Sequence, residues 1–162
     1  MSETHELKET AYGRSLAKGL LAGLIGGLAG TAAKTVAERI YPPRTHGEPE
    51  PPAVLVEKLP GHELVSAKKE FSTGAIHWGF GALTGAAYGA VVEYYPPATA
   101  KDGAGFGMAL SSLTHDTVLP AMGLAEDPED QTVRERTNEM AAHVVYGVVT
   151  ETVRRVVRRM LG

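Results

Sequence analysis

The sequence contains no cysteine, which excludes a disulfide framework, a thiolate metal site and a cysteine nucleophile. It lacks an excess of basic residues. With 16 Lys and Arg against 19 Asp and Glu the net charge is −3, and that balance gives no case for nucleic acid as a partner. The local histidine spacings HxxxH and HExxH are missing too, so no short motif marks a metal site. His115 and Asp116 are adjacent, but neighbours on a helix point about 100° apart and form no triad. No catalytic residue and no cofactor is expected.

Charge is also missing from long stretches. The mean hydropathy of −0.10 looks soluble, but charged residues gather at 1–18, 38–70, 93–102, 126–139 and 151–159. The segments between them hold most of the 19 glycines. In a soluble helix each Gly costs about 1 kcal/mol relative to Ala. In lipid the main chain keeps its hydrogen bonds, and Gly lets helices approach closely. The expected fold is therefore all-α: a four-helix transmembrane bundle with Gly-rich close packing, one domain over residues 19–162 after a polar segment at 1–18.

The first span runs from Gly19 to Ala37, with glycines stepping by four at Gly19, Gly23 and Gly27. It includes Lys34, which needs a partner or must snorkel. A cleaved signal peptide is a poor rival, because Glu3, Glu6 and Glu9 precede the span. Ser72 to Val92 is the strongest candidate, 21 residues without Lys, Arg, Asp or Glu, about the length a bilayer needs. Its glycine stripe is Gly81, Gly85 and Gly89, with Trp78 and Tyr94-Tyr95 as interface anchors. The third span is Gly103 to Leu124. The fourth runs from about Thr132 to Met160, with Glu139, His143, Gly147 and Glu151 on one face and four arginines, Arg154, Arg155, Arg158 and Arg159, at its end. The glycine stripes, Gly147 included, read as packing faces. A Pro-rich loop at 42–70 joins the first two spans and holds a short amphipathic piece, AVLVEKL. A faint echo at a spacing of 55 residues relates Gly26–Pro42 to Gly81–Pro97, and shared use of Gly and Pro explains it equally well.

Several pieces in order resemble a bacterial inner membrane family, the YagU-like proteins, over roughly residues 19–160. They are Lys34-x3-Glu38 with Pro42-Pro43-Arg44, His77 with Tyr88, Glu93 and Pro96, His115 with Pro120-x-Met122-Gly123-Leu124, and Glu139-x3-His143 with Glu151 and Arg154-Arg155. The resemblance implies an inner membrane protein without an assigned activity. This chain departs from it in having more Gly and Ala and fewer large aromatics in its spans.

Antiparallel connectivity places the polar residues of all four spans near one membrane side. Lys34, Glu38, His77, His115, Asp116, Glu139 and His143 should share a layer, with Lys34 paired to Glu38 and the histidines to Asp116 or Glu139. Such groups face the bundle interior and pair. The leading expectation is a non-enzymatic membrane protein whose layer is structural or proton-responsive. The alternatives are a metal or haem site on His77, His115 and His143, or an accessory subunit of a larger membrane complex. The lipid bilayer is the expected partner, with a homo-oligomer or larger complex open. Basic residues divide eight against seven between the two sides. The arginine cluster favours both termini in the cytoplasm, with that cluster as an interface anchor.

Overall fold

The computed structural model describes residues 13–59 and 66–162. Most of the polar segment at 1–18 and part of the loop at 42–70 lie outside the described residues, within which there is no strand. Helix α1 spans Leu16–Ile40. Ser15 caps it, its Oγ accepting the Lys18 N–H at 3.4 Å, and Pro42-Pro43 follow its end. Among the described residues α1 is the one helix long and apolar enough to cross a membrane, with a mean hydropathy of 1.4 over its most apolar stretch. The span read as strongest, Ser72 to Val92, lies inside α3 (Ser66–Tyr94). It has the length, but Gly, Thr, His77, Trp78 and Tyr88 dilute its hydropathy, so the expected ranking is reversed. Between them α2, Pro51–Lys58, opens on two prolines that supply no N–H where none is needed.

The third span is not one helix. Pro96–Gly103 forms a 3-10 stretch broken at Ala100–Asp102, where Lys101 and Asp102 take φ of 54° and 53°. Helix α4 (Ala104–Leu113) follows, then a π turn over Thr114–Val118 and a short α5, Leu119–Ala121. Pro120 has no N–H to continue the α pattern. The turn before it widens, and Leu119 N–H bonds Thr114 O five residues back. Helix α6 spans Val133–Met160 and starts on a capping box between Thr132 and Glu135.

Glycine sets the packing. α1 lies against α3 on one side and α6 on the other, and α4 lies against α6. A Cβ on Gly23 would sit 2.8 Å from Gly89 Cα, one on Gly27 2.9 Å from Gly85 Cα, and one on Gly147 2.9 Å from Gly107 Cα. At Gly81 an added Cβ would collide with the Thr31 hydroxyl. On the other face of α1, a Cβ on Gly26 would sit 2.5 Å from Thr150 O. No side chain fits there, so backbone meets backbone.

The result differs from a bundle closed on every side. The helices form a curled row, α3–α1–α6–α4, whose ends are joined by the 3-10 connection and by Tyr88 stacked on Phe106 with ring centroids 4.1 Å apart. Beyond that junction α3 and α4–α5 hardly touch, and at the π-turn end a cavity separates them. The distribution of side chains is inverted. Lys34, Glu139, His143, Glu151 and Arg154 are buried, while Leu20, Leu24, Leu28, Phe80, Leu83 and Leu113 are exposed, Leu83 to 69 % and Leu113 to 61 %.

Candidate functional site

The wide end of the row gathers titratable groups from α1, α3, the π turn and α6. Glu139 is their centre. Its Oε1 lies 3.2 Å from Lys34 Nζ, 3.3 Å from His115 Nε2 and 3.2 Å from His143 Nδ1. Its Oε2 accepts from Arg44 Nη2 at 3.2 Å. Lys34 also pairs with Glu38 one turn along, and His143 Nδ1–H donates to the Glu139 carbonyl at 3.0 Å. The rings of His115 and His143 meet edge to face with centroids 5.0 Å apart. Two cations and two carboxylates thus balance, and each buried charge has an opposite partner.

Six of the seven residues expected in the polar layer line this end. Lys34, Glu38, His115, Glu139 and His143 interact directly. His77 stands beside them, its Nε2 3.3 Å from Thr35 Oγ1, and lines the same cavity. Asp116 does not join: it is exposed on the outer side of the π turn. The wider turn presents His115 inward, and its sequence neighbour then faces out. The Pro42-Pro43-Arg44 segment folds over the layer, and Asn138 Nδ2 donates to Pro42 O at 2.9 Å. Next to it Glu135 accepts from Thr45 and Thr132, the Thr45 N–H at 3.0 Å and the Thr132 hydroxyl at 2.7 Å.

A cavity of about 290 Å³ adjoins the layer, in the gap between α3 and α4–α5. Lys34, Glu38, Arg44 and the three histidines form its polar end, and the exposed Glu50 also lines it. Ile76, Phe80, Leu110, Val118, Leu119 and Met122 give it apolar walls, and α2 closes over it with Pro51, Pro52 and Leu55. Tyr146 lines it deeper, its hydroxyl donating to Gly81 O at 2.7 Å.

The narrow end holds a second polar cluster that sequence reasoning missed. The arginines were expected at a lipid interface. Arg154 is instead buried and grips Glu151 with two hydrogen bonds, Nε to Oε2 at 2.7 Å and Nη2 to Oε1 at 2.9 Å. Tyr88 OH donates to the same carboxylate at 3.0 Å. Arg155 bridges Glu151 and Asp102, and Arg158 clasps Glu93 through Nε at 2.9 Å. That bond holds the Glu93 carboxyl below its ordinary value. Glu93 and Glu151, each the one acid beside an otherwise basic or uncharged run, were the available signal.

A model of a family described as proteins of unknown function, DUF1440, matches residues 28–152. That is most of the chain, which belongs to this family. Neither the curated proteins nor the solved structures contain a match.

Proposed function

We propose that this DUF1440 protein is a multi-pass integral membrane protein of the YagU-like inner membrane kind, non-enzymatic, whose buried polar layer locks the helices in register. The observation that carries the reading is the inverted side-chain distribution. In water, exposing Leu20, Leu24, Leu28, Phe80, Leu83 and Leu113 while burying two lysine- and arginine-centred ion clusters works against the hydrophobic effect. In lipid the outer residues are solvated and the charges avoid the acyl chains. Only 33 % of the most apolar stretch of α1 is buried, unlike the core helix of a soluble protein. α3, α4–α5 and α6 cross beside α1 because glycine contacts and polar partners make up for their lower hydropathy. Both termini face the cytoplasm, where the exposed Arg159 meets anionic lipid. The bilayer is the first partner, and a second copy or a larger complex would cover the exposed leucines. The test is carbonate extraction of membranes from cells making the protein. Retention in the pellet is expected, and release into the supernatant would refute the reading.

A second reading rests on one distance set. Ligand atoms of His115, Glu139 and His143 lie within 4.8 Å of one another, a spacing suited to a divalent transition metal. Lys34 and Arg44 on the same carboxylate oppose it electrostatically. Elemental analysis of purified protein decides: stoichiometric zinc or iron that disappears in His115→Ala would favour the metal, and a metal-free wild type would dismiss it.

A further inference from the structure

We propose that the cavity between α3 and α4–α5 binds an uncharged amphiphile, a molecule with an apolar chain and a hydroxyl or carbonyl head group. The proposal rests on the membrane reading for its source of ligand, since it takes the molecule from the surrounding lipid.

The charge of the head group follows from the polar end. Lys34 and Arg44 are balanced by Glu38 and Glu139, and Glu50, the other acid of the lining, is exposed. An acid or an amine entering this balanced, buried cluster would bring an uncompensated charge with it, which is costly. A neutral head brings none.

Its hydrogen bonding follows from what the cluster leaves unused. A guanidinium has five N–H donors, and Arg44 spends one of them on Glu139. An ammonium has three, and Lys34 spends two, on Glu38 and Glu139. Both residues line the cavity. Deeper in, Thr84 Oγ1 and Tyr146 OH lie 2.8 Å apart with the Tyr146 proton given to Gly81 O, so this pair offers acceptor lone pairs to a ligand hydroxyl. Oxygen acceptors on a ligand therefore have donors to meet.

The chain and its route follow from the walls. Phe80, Val118 and Met122 line the cavity and are themselves 50 %, 42 % and 56 % exposed. They form the exposed rim of the cavity. At about 290 Å³ the cavity is roughly twice the 150 Å³ that encloses a benzene. It has room for a head group and the first part of one chain, the rest lying along the rim.

The experiment uses the full chain in lipid nanodiscs and three photoactivatable long-chain probes that differ only at the head: an alcohol, the matching carboxylic acid and the matching quaternary amine. The alcohol should label peptides containing Phe80, Val118 or Met122 several-fold more than the other two. The labelling should saturate and be competed by unlabelled alcohol. Filling the cavity from either wall, with Leu110→Trp or separately with Ile76→Trp, should abolish the saturable part in whichever variant keeps wild-type helix content. Equal labelling by all three probes, labelling that never saturates, preference for either charged probe, or indifference to both fillings would overturn the proposal. Release by carbonate would instead strike the membrane reading. Retention in the membrane with no selective labelling strikes this inference alone.

Discussion

Adding one methyl group to Gly85 should destabilise the protein, although the same change at Gly79 of α3, where an added Cβ meets nothing, should not. A Cβ at Gly85 would lie 2.5 Å from Gly27 Cα and 2.8 Å from Gly27 N. Comfortable separation between carbon atoms is about 3.5–4.0 Å. The obstacle is backbone, which cannot rotate out of the way, so α1 must withdraw from α3 by roughly 1 Å at this point to restore contact distance. Withdrawal also loosens the neighbouring contacts of Gly23 with Gly89 and Gly81 with Thr31. Overpacking of this kind costs about 1–3 kcal/mol, roughly one to two orders of magnitude in the folding equilibrium. Gly79 provides the control, because an added Cβ there has nothing within 4 Å. Gly79→Ala should be neutral or gain up to about 1 kcal/mol from helix propensity. Both variants can be unfolded reversibly by raising the mole fraction of a denaturing detergent in mixed micelles, with helix content followed by circular dichroism. Equal stability of Gly85→Ala and wild type, or equal losses in Gly85→Ala and Gly79→Ala, would refute the account of the glycine contact.

The two polar clusters give further expectations. Glu139→Gln leaves Lys34 and Arg44 without their shared carboxylate and should cost about 3–5 kcal/mol in the same unfolding assay, much of it recovered when Lys34→Met is added. A Glu139→Gln variant as stable as wild type would show that the cluster is not holding the helices. Glu93 at the opposite end has a depressed pKa through its bond from Arg158. Its contribution is therefore fully present above the ordinary carboxyl value of 4.5 and is lost as pH falls through the lower folded value. Stability measured from pH 7 downward should drop below about pH 4.5 in wild type, and less steeply in Glu93→Gln.

The ends of α1 and α6 were legible to within three residues because glycine, proline and charge punctuate the chain there, whereas the break of the third span at the π turn was not. Ser72 to Val92 fell inside α3, which begins at Ser66, and the fourth span, read from about Thr132, begins one residue later with Thr132 as its cap. The coincidence of Lys34, His77, His115, Glu139 and His143 followed from connectivity alone, since each lies at the same relative height in an antiparallel chain. Asp116 shows where that reasoning ends. Height along a helix can be counted from sequence, but neighbours on a helix point about 100° apart, so with His115 turned to the layer Asp116 faces away from it. Arg154 illustrates the second limit. An arginine at a helix end serves equally well against lipid or against a carboxylate, and only the approach of α3 and the 3-10 connection decides. The row α3–α1–α6–α4 was equally hidden, because glycine faces permit close contact without naming the partner.

The pairing of Lys34 has a consequence for how the protein is made. Its long-range counterion, Glu139, lies 105 residues further along the chain, so α1 is synthesised well before that carboxylate exists. Glu38, four residues on, travels in the same helix. From the moment α1 forms, Lys34 has a local companion that neutralises it, and the helix need not wait for α6 with a bare charge. The later arrival of α6 then brings Glu139 to the same ammonium, so α6 completes a contact that α1 had kept provisionally satisfied.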